Sequence, residues 1–254
     1  MAFQVSIVIP TLNEAAVLGQ TLRCLYSLDP PAWEILVVDG GSQDNTIAIA
    51  ETALHDFVEK PTSVEIISSE QPGRSIQMNR GAELATGEVL CFLHADTLVS
   101  PDLVSTIHKT LTDSTVVGGG FISLMVGPDK TRWIMSLHNY LKTYYAPLLF
   151  RPHLFLFKGL RLLFGDQVMF CRRQAFWNCG GFDLDLPIME DADLCLKLIK
   201  HGRIRLVNRI VQSSDRRVAK WGIFKANLIY SYVGFLWGIG VSPSYLKQFY
   251  EEIR

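Results

Sequence analysis

Val5-Ser6-Ile7-Val8-Ile9-Pro10-Thr11-Leu12-Asn13-Glu14 is an apolar, β-branched run that meets a proline and turns polar within a few residues. It reads as a buried strand that stops at a loop. Working outward, the same grammar recurs at Glu34 to Asp39, Val64 to Ile67 and Val89 to Leu93. Helical patterns separate these runs. Asn13 is a cap candidate for a helix carrying Leu18, Leu22 and Leu25, and Asp44 for one carrying Ile47 and Ala50. A third helix is expected near Ser75 to Ala85, stopping at Gly87, and Ser100-Pro101 opens a fourth through about Leu111. Strands alternating with helices predict an α/β fold, a mostly parallel central sheet flanked by helices.

Past Gly118 the pattern changes. A glycine run precedes strand-like Phe121 to Val126, and an aromatic, basic stretch from Arg132 to Phe164 gives no readable topology. A strand near Val168 to Cys171 follows, then a helix over Glu190 to Lys200 closed by Gly202, its acids ahead of its bases as the helix dipole favours. With no repeat or low-complexity linker, residues 1–254 read as a single domain. Its pattern divides into 1–115, 116–215 and a C-terminal apolar helical segment (216–254).

Composition removes several classes. Twenty-four basic against 25 acidic side chains give a net charge of -1, which argues against nucleic acid as a partner. Hydrophobic content of 48% with 19% charge excludes a disordered chain and predicts an apolar surface somewhere. Five dispersed cysteines without a C-x-x-C pair point to reduced thiols in a cytosolic compartment, and no secretory signal is readable at the N-terminus.

Ligands of open parallel sheets bind beyond the carboxyl ends of the strands. Polar residues stand there: Thr11, Asn13 and Glu14 after the first run; Asp39-Gly40-Gly41 at the end of the second; Pro72-Gly73-Arg74 after the third; His94-Ala95-Asp96 after the fourth. With Asp44 and Ser100 read as caps, Asp39 and Asp96 are left without an evident structural task. Asp39 then suits a base or ribose, and Asp96, a hard oxygen donor, suits Mg²⁺ or Mn²⁺ bridging two phosphates. In the Glu190 helix, Asp191 shares a face with Leu194, Cys195 and Leu198, which turns its carboxylate inward, whereas Glu190 and Asp193 are explained as first-turn acids. A partly desolvated carboxylate there suits a general base.

Ser6 to Glu14, Val37 to Thr46, Phe92 to Asp96 and Met189 to Leu194 together resemble the inverting family 2 glycosyltransferases of the GT-A fold, over roughly residues 4–210. Pro72-Gly73-Arg74, the run Asn79 to Ala82 and the H-A-D form look most like the arsenosugar biosynthesis glycosyltransferase, or radical-SAM/selenodomain-associated transferase 2, subfamily. The resemblance implies transfer of a sugar from a nucleoside-diphosphate sugar to an acceptor hydroxyl with inversion. By it, Pro10, Thr11, Asn13, Glu14 and Gly41 border the nucleotide, Asp39 contacts the base, and Arg74 and Asn79 lie near the phosphates. Asp96 binds the divalent metal, Asp191 of the Glu190-Asp191 pair is the general base, and Gly165, Asp166 and Gln167 contact sugar or acceptor. His94 departs from the pattern: it replaces the usual first acid, and its ring suits a ribose or phosphate. No histidine ligand follows the Glu190 helix, where Arg216 and Arg217 are placed to neutralise the diphosphate.

The apolar surplus falls at Arg132 to Phe164, read as an acceptor-site lid or membrane-facing patch, and at Ile223 to Val241, read as a packed or interfacial helix too interrupted to span a bilayer. Peripheral contact at the inner face of the membrane, a lipid-linked acceptor and a homo-oligomer interface are the uses it admits, beside a small-molecule acceptor. No G-x-G-x-x-G or P-loop is present. The rivals left are a metal-dependent sugar nucleotidyltransferase, which needs a glycine-rich phosphate loop that Thr11 to Glu14 does not supply, and a noncatalytic nucleotide-sugar binding module.

Overall fold

The four N-terminal runs form one parallel block in the computed structural model, which describes residues 3–57 and 61–249. Strands β1 (Val5–Thr11), β2 (Glu34–Asp39), β3 (Ser63–Ser68) and β4 (Val89–Phe92) are connected through helices α1 (Leu18–Tyr26), α2 (Thr46–Asp56) and α3 (Arg74–Leu84). β1 lies between β2 and β4, with Thr11 opposite Asp39, so the polar strand ends are brought level by register. Alternate residues point to opposite faces. Ile7, Ile9 and Val37 enter one core with Leu18, Leu22 and Leu25, while Val8, Leu36 and Val38 enter a second with Met78 and Ala82. Both faces are covered, which is why these strands read as continuous apolar runs. Each fully buried aliphatic side chain contributes about 1.5–3 kcal/mol.

A two-residue strand, β5 (Thr97–Leu98), and α4 (Leu103–Leu111) lead to β6 (Val116–Val126). Then come α5 (Trp133–Phe150), a π-helical turn at Leu154–Lys158, a 3-10 turn at Gly165–Gln167, β7 (Met169–Arg172), α6 (Arg173–Asn178), α7 (Glu190–Leu198) and β8 (Arg203–Ser214). The chain continues through α8 (Arg216–Trp221), α9 (Ile223–Gly238) and α10 (Pro243–Leu246). The described strands form one sheet in the order β3-β2-β1-β4-β7-β6-β8-β5, with β7 antiparallel to β4 and β6.

Several local expectations need correction. The glycine run is not a break before a strand but part of β6. A Cβ on Gly118 would stand 2.6 Å from the Phe170 carbonyl oxygen, and one on Gly119 2.5 Å from that of Arg205, so only bare backbone fits between β7 and β8. Asn13 does not cap α1, which begins at Leu18 after Val17. It lies in the left-handed region and accepts the Gln43 amide instead. Ser100 does not cap α4, which begins at Leu103 after Asp102. Asp44, one residue before the position flanking α2, does accept the Thr46 amide at 3.0 Å. The unreadable stretch after Arg132 is largely α5, and Ile223 to Val241 is largely α9. Residues 250–254 of the C-terminal segment fall outside the described residues. No helix among the described residues is long and apolar enough to cross a membrane.

Candidate active site

At the ends of β1 and β2 the backbone organises itself around Asp39. This carboxylate, 2% exposed, accepts the amides of Gly41 at 2.9 Å and Ser42 at 2.8 Å, and the hydroxyls of Ser42 at 2.5 Å and Thr11 at 3.2 Å. Asp39 therefore has the structural task that the sequence left unassigned: it fixes the loop that leaves β2. Asn13 donates its amide to the Ser42 hydroxyl, and Glu14 donates its own to the Thr46 hydroxyl, closing the β1 loop onto the same turn. Pro10 and Gly41 belong to this two-loop rim.

Gln77 is a residue that sequence reasoning missed. Its Nε2 donates to the carbonyls of Thr11 at 2.6 Å and Val38 at 2.7 Å, joining the ends of β1 and β2 from α3. The available signal was its place on α3 one turn ahead of Gly81, on the face that packs on the sheet. Asn79 faces inward too, but both ends of its amide engage the Phe182 backbone, at 2.8 and 3.0 Å. It pins the loop before α7 with one N–H and the carbonyl oxygen of its side chain.

After β4 the chain passes His94 and Asp96 and enters β5, which pairs antiparallel with the end of β8: Thr97 lies opposite Ser213. That pairing delivers Arg216, at the start of α8, to the site. Its guanidinium bridges Glu14 at 2.9 Å and Asp96 at 2.8 Å. The charge-assisted fork ties the β1 loop, the β4 loop and the C-terminal segment together.

His94 lies between these carboxylates and α7. Burial, then the nearby Arg74 guanidinium, lowers its pKa and keeps the ring neutral. Its buried Nε2 has no hydrogen-bond partner among the described residues. Gly165 fits against the ring: a Cβ there would lie 2.3 Å from His94 Cε1 and 3.0 Å from Asp191 Oδ2. His94, Gly165 and Asp191 thus meet at one point, and the Asp96 charge acts on His94.

Asp191 is 8% exposed and turned inward with Leu194, Cys195 and Leu198, as the helical spacing required. Burial first, then the adjacent Glu190 charge, pushes its pKa up to about 8, against the partial relief of Arg74 and the Gly165 amide. Glu190 is more than a first-turn dipole acid: it is buried at 5% exposure and pairs with Arg74 at 3.1 Å. Beyond Gly165, Asp166 accepts from the Asn139 side chain at 2.7 Å, but Gln167 is fully buried and bonded to Thr143 and the Phe164 amide, an internal brace and not a contact surface.

As a place for a divalent ion, the site offers a bridging position and no cage. Among the described residues, no three acids, histidines or cysteines converge. The unpartnered Nε2 of His94 and the Asp96 carboxylate fit such an ion if diphosphate oxygens and water complete its shell, the arrangement Mg²⁺ commonly takes.

A mixed sheet flanked by helices, its parallel strand ends braced into a polar rim, is the architecture of the GT-A fold. A family model, Glycosyl transferase family 2, matches residues 6–180, and the chain belongs to that family. It is 29% identical over 195 residues to a PGL/p-HBAD biosynthesis glycosyltransferase of Mycobacterium tuberculosis, covering 76% of this chain and 68% of that protein. The chain spans 64% to 68% of the length of several such mycobacterial relatives. A mannosyltransferase from Pyrobaculum calidifontis, solved with GDP-Man and Mn²⁺, superposes with a TM-score of 0.70 at 19% identity over 98% of this chain and 68% of that one. Glucosyl-3-phosphoglycerate synthase from M. tuberculosis, solved with Mn²⁺, UDP and glucosyl-3-phosphoglycerate, gives 0.63 at 19% identity over 94% and 81%. These likenesses confirm the GT-A fold.

Proposed function

We propose that the protein transfers a sugar from a nucleoside-diphosphate sugar to an acceptor hydroxyl with inversion, using Asp191 as general base. The observation that carries this reading is the Asp191 carboxylate, buried beside Glu190 and brought against Gly165 and His94, on which the Asp96 charge acts. The subfamily reading, arsenosugar biosynthesis transferase, rests on Pro72-Gly73-Arg74 and the H-A-D form and belongs to the same proposal.

The nucleotide lies over the rim built on Thr11, Asn13, Glu14 and Asp39, where the carboxylate of Asp39 acts by holding the Gly41–Ser42 amides in place as well as through any contact of its own. Arg74, 43% exposed at its side chain, faces the phosphates from the start of α3 while Glu190 holds its direction. Asp96 and His94 would hold Mg²⁺ or Mn²⁺, which when bound stabilises charge on the departing diphosphate. Arg216, released from its fork, and Arg217 supply positive charge to the same oxygens. At the other end Asp191 takes the proton of the acceptor hydroxyl as that oxygen bonds to the anomeric carbon and the bond to the diphosphate breaks, the electron pair leaving with the diphosphate. A raised pKa lets the carboxylate hold that proton near neutral pH, and burial excludes the water that would compete as acceptor.

The test is turnover with UDP-, GDP- and dTDP-sugars and a panel of acceptors. Release of the nucleoside diphosphate with glycosylated product supports transfer; pyrophosphate release supports nucleotidyl transfer, and binding without turnover a noncatalytic module. Asp191→Asn is expected to lower kcat by about 10² to 10⁴ while donor affinity stays within a few-fold.

A further inference from the structure

We infer that the cleft between α5 and α9 is a binding site for the single apolar chain of an anionic amphiphile, whose charged headgroup faces Lys142. The inference deepens the reading above, on which it rests for placing the acceptor beside Asp191. The cleft has a volume of about 230 Å³, with Leu149, Leu162, Met189, Phe235 and Trp237 among its walls. The chain joins it to the candidate active site at two points. Phe164, which lines it, directly precedes Gly165, and Met189 directly precedes Glu190-Asp191.

Lys142 is the one charged side chain of the lining. Its ammonium stands 3.6 Å from the centroid of the Phe164 ring and 5.9 Å from that of Tyr230, with no carboxylate within ion-pair distance among the described residues. Burial lowers its pKa to about 8, and the charge of Asp166 offsets only part of that. A cation so placed is stabilised by a ligand anion, whereas a neutral or cationic headgroup leaves it unpaired. At the open end, Leu149 is 67% and Phe235 56% exposed, so a chain longer than the cleft continues over apolar surface. Apolar walls, one half-buried cation and chain continuity with the candidate active site together select an anionic amphiphile over a polyol, whose hydroxyls would be stranded without partners.

The probes are decyl phosphate, decanoate, decanol and decyltrimethylammonium below their micelle concentrations, read by intrinsic tryptophan fluorescence and calorimetry. Gly234 lines the cleft from α9, and a Cβ there meets nothing within 4 Å, so Gly234→Leu starts its side chain in open space at the cleft, with better helix propensity. The two anions are expected to bind the native protein at least about tenfold more tightly than decanol. Lys142→Met should abolish that preference, and Gly234→Leu should weaken every chain by a similar factor while thermal stabilisation by UDP or GDP is retained. A tighter phosphate identifies a phosphate-bearing amphiphile and a tighter carboxylate a fatty or aryl acid; either supports the site. Equal binding of decanol and decyl phosphate, or undiminished binding to Gly234→Leu, would overturn it. Anion-selective binding in a protein that transfers no sugar would keep the cleft and remove the catalytic reading. Transfer to water-soluble acceptors, indifferent to Gly234→Leu and without amphiphile binding, would do the reverse.

Discussion

Replacing Asp191 by Asn separates what this carboxylate does for chemistry from what it does to the fold. The side chain is 8% exposed, and burial with the Glu190 charge raises its pKa from an ordinary 3.8 to about 8. A group whose native pKa is raised holds its proton more tightly folded than unfolded. Its favourable contribution is therefore complete below the unfolded value near 3.8 and is lost as pH climbs to about 8. Asparagine cannot ionise and loses nothing over that window, so the variant should be more stable than the native protein, increasingly so from pH 5.5 to 8.5. At 1.36 kcal/mol per pH unit the upper bound is about 6 kcal/mol. Relaxation around Glu190 and Arg74 brings the expected gain at pH 8.5 to about 1–3 kcal/mol, a Tm rise of about 2–10 °C for a chain of this size. Scanning calorimetry in matched buffers at the two pH values measures it, alongside turnover on the same preparations. The expected pattern is a more stable, nearly inactive protein. A variant no more stable than the native protein at pH 8.5, or equally stabilised at both pH values, would refute the desolvated carboxylate and with it the reason for assigning the base to Asp191.

The same group predicts that kcat/KM rises with pH up to about 8, with a slope of one proton, because only ionised Asp191 accepts the acceptor's proton; a pH-rate profile reads this directly. Gly165→Ala forces a methyl group to within 2.3 Å of the His94 ring, and should lower stability by about 1–3 kcal/mol and turnover more than donor affinity, by denaturant titration and steady-state kinetics. Arg216→Ala frees Asp96 from its 2.8 Å ion pair; thermal shifts with Mn²⁺ alone should grow, while those with UDP or GDP in EDTA should shrink.

Strands β1, β2 and β4 were legible because each is buried on both faces and ends abruptly in polar residues, so the apolar run and its boundary coincide; β3, partly exposed at the sheet edge, was legible from its β-branched run alone. The inward turn of Asp191 was legible because helical periodicity alone places it with Leu194 and Leu198. β6 was not, since Gly118 to Gly120 carry no side chain to register burial, and their reason is the crowding by β7 and β8. Asp39 was half read: its position at the strand end was plain, but three of the four hydrogen bonds it accepts come from a loop whose shape sequence does not encode locally, and the fourth from Thr11 on the neighbouring strand. Gln77, Lys142 and the Arg74–Glu190 pair escaped for one shared reason, that their partners lie on other elements and become neighbours only once the sheet is assembled.

The pairing of β5 with the far end of β8 also sets an order of events. Until residue 216 has left the ribosome and its strand has docked, Asp96 and Glu14 face each other with no guanidinium between them, two like charges in a half-built crevice. Completion therefore comes late in the chain: a nascent N-terminal half would carry the β1, β2 and β4 loops and lack both Asp191 and the Arg216 fork.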